Sequence, residues 1–238
     1  LDWKVYARTD KYHLKQFEEE TNLACHLLVD TSRSMTYQSP AAAMSKLDYA
    51  CCTAASLAYL ILHQQDSVGL VTLDREIRSL VRPSTNPSHM ERLITVMESI
   101  TPDEGTSLGP LLHELAGRFD KRGIIIVLSD LFDDVDTLVK GLKHLRHRRH
   151  EVVLMHVLDP AELDFPFEDT TLFRGMEQAR QVVAEPRAIR RAYLDEFGAY
   201  VRRLKHACRM HRMDYVQLRT DRSLAVAISG YLASRGRS

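Results

Sequence analysis

Between residues 26 and 35 the sequence reads "HLLVDTSRSM". An apolar run, Leu23 to Val29, stops at Asp30, and Ser32 and Ser34 follow at every second position. A chain that only had to turn would more often use Gly, Pro or Asn there. Alternating Asp, Ser and Ser instead aim oxygen-bearing side chains at one point beyond the end of a strand, as a hard divalent cation requires. Two further segments carry groups of the same kind. "GIIIVLSD" ends on Asp130, and "DEGTSLG" contributes Thr106 at the entry to a helix. Asp30, Ser32, Ser34, Thr106 and Asp130 offer carboxylates and hydroxyls with no imidazole or thiolate. That chemistry suits Mg²⁺ or Mn²⁺ rather than Zn²⁺. Taken singly, each of these residues could instead cap a turn or a helix.

Other chemistry-bearing residues read differently. "GTSLG" matches the G-x-S-x-G pattern, with Asp130 and His156 following in hydrolase order. A nucleophile elbow needs an apolar strand leading into its serine, whereas "SITPDE" precedes Ser107. Ser107 is therefore expected to satisfy backbone groups at a helix start. Phosphotransfer on Asp30 would want an acid where Ser32 stands. "KHLRHRRH" (143–150) suggests a nucleic-acid patch or a metal tract, but a basic helix C-terminus explains it. "RRLKHACRMHR" (202–212) reads as a solvated helix face with Leu204 and Cys208 turned inward, and His26 and His156 as satisfied core histidines.

The elements that would position the oxygens alternate between strand and helix, which predicts a mostly parallel sheet covered by helices on both faces. In such a sheet, ligands collect outside the carboxyl ends of the strands. After the first strand, Leu47, Cys51, Ala54, Ala58, Ile61 and Leu62 mark a helix. "SVGLVTL" and "IRSLV" form a hairpin across "DRE", and short helices follow over Leu93–Ile100 and Leu108–Phe119. "GIIIVLSD" is the most apolar strand and belongs at the centre. A helix over Val135–Leu145, the strand "EVVLMHVLD", a long helix from about 187 to 211, the strand "DYVQLRT" and a closing helix from about 222 complete the order. Residues 160–186, with Pro160, Pro166 and Pro186, break the alternation and are expected to form a hairpin insertion. Residues 1–238 read as one domain.

The 32 Lys and Arg balance the 32 Asp and Glu. This neutrality argues against a general nucleic-acid binder. No apolar stretch approaches the roughly 18–20 residues of a membrane span, and the four cysteines form no C-x-x-C pair. Free thiols and a cytoplasmic protein are expected. The chain opens on "LDWKVYARTD" without Met, as though its N-terminus were incomplete.

The order and spacing of these motifs resemble the von Willebrand factor A domain and its metal-ion-dependent adhesion site. The likeness is greater still to a bacterial branch, the domain of unknown function 58. It is carried by "DWKVYART", "VGLVTLD", "SDLFDD", "EVVLMHVLDPAELDFPF" and "DYVQLRTD". The resemblance implies a Rossmann-like α/β fold with Asp30, Ser32, Ser34, Thr106 and Asp130 as metal-site residues. It also implies a protein-interaction role without catalysis, in which a partner's Asp or Glu completes the metal shell. The partner it implies is a MoxR-type AAA+ ATPase engaged in protein remodelling or maturation. A metal-dependent hydrolase is the alternative, with Asp103, Glu104 and Asp133 as candidate bases. Leu131 departs from many adhesion-type domains, which have Gly at that position.

Overall fold

The computed structural model describes residues 23–102, 105, 107–176 and 181–235. Thr106, Asp103, Glu104 and the "DWKVYART" segment lie outside the described residues. A six-stranded sheet has the order β3-β2-β1-β4-β5-β8. Its strands are β1 (Ala24–Asp30), β2 (Ser67–Leu73), β3 (Ile77–Ser84), β4 (Gly123–Ser129), β5 (Glu151–Leu158) and β8 (Asp214–Arg219). All neighbours run parallel except β2 and β3, which form the expected hairpin. Pro83 lies in β3, an edge strand, where a missing N–H costs no ladder bond.

Every residue of β1 is buried, and β1 and β4 occupy the middle of the sheet. Strands covered on both faces need no polar alternation, which is why both read as continuous apolar runs. One face is covered by α1 (Lys46–His63), α2 (His89–Glu98) and α7 (Leu224–Arg235), around Leu27, Val29, Ala54, Leu57 and Ile126. The other is covered by α3 (Leu108–Arg118), α4 (Val135–His147) and α6 (Pro186–Met210), around Leu28, Leu112, Val127, Leu142 and Leu204. Helices α3 and α4 approach backbone to backbone, because a Cβ at Gly141 would stand 2.3 Å from the Gly109 carbonyl oxygen.

The insertion differs in detail from the expected hairpin. Residues 160–164 form a short helix, α5 (Pro160–Asp164), started by a capping box between Asp159 and Glu162. The hairpin itself is β6 (Thr171–Arg174) paired with β7 (Gln181–Ala184). Pro160 at the first helical turn, read from sequence as a break, is where proline starts a helix without losing a bond. Among the described residues no helix is long and apolar enough to cross a membrane.

Candidate metal centre

The parallel strands β1 and β4 end side by side, and this brings Asp30 and Asp130 to one point at the carboxyl edge of the sheet. Both are buried, as is Ser32, while Ser34 is half-buried. Asp30 accepts from the Ser32 backbone N–H at 2.9 Å and from the Ser129 hydroxyl at 2.5 Å. These bonds curl the chain into a 3₁₀ turn, Arg33–Thr36, that carries Ser34 back toward the strand ends. The Ser32 and Ser34 hydroxyl oxygens then lie 3.1 Å apart, and the Ser34 hydroxyl also donates to Asp130. Four of the five residues expected at the site therefore converge. Thr106 falls outside the described residues.

The oxygen set fits a hard cation. Adjacent ligands in an octahedron with bonds of 2.0–2.1 Å are about 3.0 Å apart, which matches the Ser32–Ser34 separation. Among the described residues no three His, Cys, Asp or Glu side chains form a metal cluster. Hydroxyls would have to supply part of the coordination shell. Ser32 and Ser34 would be ligands, with Asp30 and Asp130 coordinating directly or through water.

Three partners were missed from the sequence. Lys46, the first residue of α1, is buried and donates to Asp130 at 2.8 Å and to Glu162 at 2.6 Å. The ammonium brings a positive charge into the site, which two aspartates alone would not contain. Glu162 returns a negative one. The available signal for Lys46 was its place at a helix N-terminus, where the macrodipole disfavours a cation unless something else holds it. The "DPAE" sequence at 159–162 was the signal for Glu162, since it spells a capping box. Ser129, the third, had no signal beyond its position before Asp130.

Electrostatics separate the two aspartates. Burial, then the nearby Asp130 charge, raises the Asp30 carboxyl to about 7 against the hydrogen bonds from Ser129 and Ser32. Burial also pushes Asp130 upward, but the Lys46 ammonium and the Ser34 hydroxyl hold it below its ordinary value. Both nitrogens of His156 are engaged, Nε2 by the Asp130 carbonyl at 2.8 Å and Nδ1 by the Tyr215 hydroxyl at 2.7 Å. His156 is a satisfied core histidine, as expected, and burial lowers it to about 4.

Ser107 does not cap its helix as expected, since its side chain makes no capping hydrogen bond. Asp133 does so from the neighbouring loop, accepting from the Gly109 N–H at 3.1 Å. With its backbone at φ −137° and ψ 60°, Ser107 precedes the helix without presenting its oxygen to the free N–H groups. Asp133 also accepts from the Asp134 N–H at 2.7 Å, so both its carboxylate oxygens have structural partners. Leu131, at the position where many adhesion-type domains have Gly, adopts a left-handed backbone with φ 56°. That conformation costs a leucine about 1–2 kcal/mol. Complete burial of its side chain and a hydrogen bond from the Tyr200 hydroxyl to its carbonyl hold it there.

Comparison with known proteins agrees with this architecture. An uncharacterized protein of Mycobacterium tuberculosis strain H37Rv is 26% identical over 242 residues, covering 100% of this chain and 75% of its own length. The crystal structure of BatB, a conserved hypothetical protein from Bacteroides thetaiotaomicron, superimposes with a TM-score of 0.58. It is 18% identical, with 91% of this chain and 100% of that chain covered. An aerotolerance-related membrane protein from Bacteroides fragilis gives a TM-score of 0.57 at 17% identity, covering 87% of this chain and 97% of its own. These two likenesses concern the fold alone, a mostly parallel α/β sheet covered by helices on both faces. The model of the family "Protein of unknown function DUF58" matches residues 1–201, and this chain belongs to that family.

Proposed function

We propose that this chain is a divalent-cation-dependent protein-interaction module, with Mg²⁺ or Mn²⁺ held by Ser32, Ser34, Asp30 and Asp130 together with Thr106. The observation that carries the reading is the 3.1 Å pair of serine hydroxyls set between two buried carboxylates. When bound, the cation supplies an electrophilic position that a partner's Asp or Glu completes. The chain's residues do the rest. Ser129 and the Ser32 N–H orient Asp30, while Lys46 orients Asp130 and limits the negative charge of the site. The role we propose is binding without catalysis, and the engagement of Asp133 by two backbone N–H groups argues against that residue as the base of a hydrolase.

By family resemblance, the proposed partner is a MoxR-type AAA+ ATPase in the cytoplasm, acting in protein remodelling or maturation. The test is the affinity for that ATPase from the same genome, measured with Mg²⁺, with chelator, and with Ser34→Ala. Binding should require the metal and Ser34. Binding indifferent to both would place the interface elsewhere.

A further inference from the structure

A cavity of about 510 Å³ opens beside the oxygen cluster. Ser34, Lys46 and Asp130 line one side of it, so it is continuous with the metal centre. Its other walls are mostly aromatic and come from separate elements. Phe132 follows Asp130 by two residues and is 73% exposed. Phe165 ends α5 in a left-handed conformation at φ 44°, and is packed 4.7 Å from Tyr193 of α6 and 5.8 Å from Phe173 of β6, centroid to centroid. The insertion thus brings a cage of rings to the rim of the site.

The charges at the floor decide what the cage accepts. Glu162 is fully used, one oxygen taking Lys46 and the other the Asp159 N–H. The Lys46 ammonium already sits between Asp130 and Glu162, so a cationic side chain entering the cage would meet that like charge at its floor. An anion deep in the cage, away from the metal position, would face Asp130 and Glu162 across a single ammonium that both already hold. What fits is a neutral apolar side chain, and aromatic rings gain most from edge and offset contacts with Phe132, Phe165 and Phe173. An exposed phenylalanine on an open rim is also more typical of a protein contact than of an enclosed small-molecule site.

We propose that this pocket is a specificity site for the protein partner, taking an aromatic side chain that lies two residues from the carboxylate bound at the metal. This deepens, and rests on, the metal-dependent reading above. In an extended segment successive side chains point to opposite sides and rise about 3.3 Å per residue. One carboxylate and a ring two residues away therefore share a side and can reach two adjoining subsites.

The test uses the full 238-residue chain and synthetic hexapeptides with one Asp and one Phe, placed two positions apart on either side. Matched peptides carry Ser in place of Phe. Binding is followed by NMR shifts with Mg²⁺ and with chelator. At least one Phe peptide should bind roughly five- to tenfold more tightly than its Ser counterpart, and Phe132→Ala should remove that preference. Phe132 is exposed, so its substitution leaves the fold intact. No difference between Phe and Ser peptides overturns the pocket, even if Mg²⁺ dependence remains. A Phe preference with affinities that are the same in Mg²⁺ and in chelator upholds the pocket and overturns the metal reading with the carboxylate placement that rests on it. N-acetylphenylalanine amide binding as tightly as the best Phe peptide would show a small-molecule site and overturn the proposal.

Discussion

Lys46 is the residue on which the charge balance of the site turns. It is a buried cation held by one buried and one partly buried carboxylate. Replacing it with an isosteric apolar residue leaves Asp130 buried without its counter-ion, a change that typically costs about 3–5 kcal/mol. Lys46→Met should lower the urea midpoint by a corresponding amount. Added Mg²⁺ should then restore more stability to the variant than it adds to the parent, because the cation binds only the folded site. An unchanged midpoint would show that the pair contributes little. The same coupling makes Asp130→Ala a poor probe of metal binding, since it strands Lys46, whereas Ser34→Ala removes a ligand at small structural cost. Asp30, Ser32, Ser34 and Asp130 were legible from sequence because two short-range patterns expose them: alternation after an apolar run, and a carboxylate ending one. Lys46 and Glu162 were not, because Lys46 meets Asp130 across 84 residues of sequence and Glu162 across 116.

At the scale of elements, the site depends on how closely α3 and α4 pack, since the chain from Asp130 leads into α4 and its Asp133 accepts from the Gly109 N–H at the start of α3. Gly141→Ala would drive a methyl into the Gly109 carbonyl, and overpacking of this kind costs roughly 1–3 kcal/mol. Gly117→Ala on the same α3 meets nothing within 4 Å and should stabilise by roughly 0.5–1 kcal/mol. Chemical denaturation of the two variants checks the pair, and similar effects would contradict the packing account. Strand β1 carries a pH dependence of its own. His26 stacks on Phe119 at 3.9 Å, and burial followed by the nearby His150 lowers it from 6.5 to about 4. The unfolded chain therefore takes up this proton more readily. The stability His26 contributes is complete above 6.5 and is lost as pH falls toward 4. His26→Leu should flatten the stability profile in that window, and an equal slope in both proteins would assign it to other groups. The strands were legible because buried parallel strands are short apolar blocks. Helix α5 was not, because three prolines obscured a capping box that only one of them starts.

Across the whole molecule, zero net charge conceals a separation. The basic tracts at 143–150 and 202–212 meet where α4 and α6 end, joined by Arg146 donating to the carbonyls of His150 and His211. Arg122, Lys205, Arg209 and Arg212 surround a groove there with Glu151 and Asp214 among them. The oxygen cluster lies at the opposite, carboxyl edge of the sheet. A metal-mediated contact at that edge should survive added salt far better than a nucleic-acid contact, whose affinity falls steeply with ionic strength. The central claim is nevertheless the cation itself. The most direct measurement is Mn²⁺ electron paramagnetic resonance, with Mg²⁺ competition, on the parent chain and on Ser32→Ala and Ser34→Ala. Weak binding to the parent, displaced by Mg²⁺ and reduced at least about tenfold in each variant, is the predicted result. A parent that leaves millimolar Mn²⁺ free, or variants that bind it unchanged, would contradict the account.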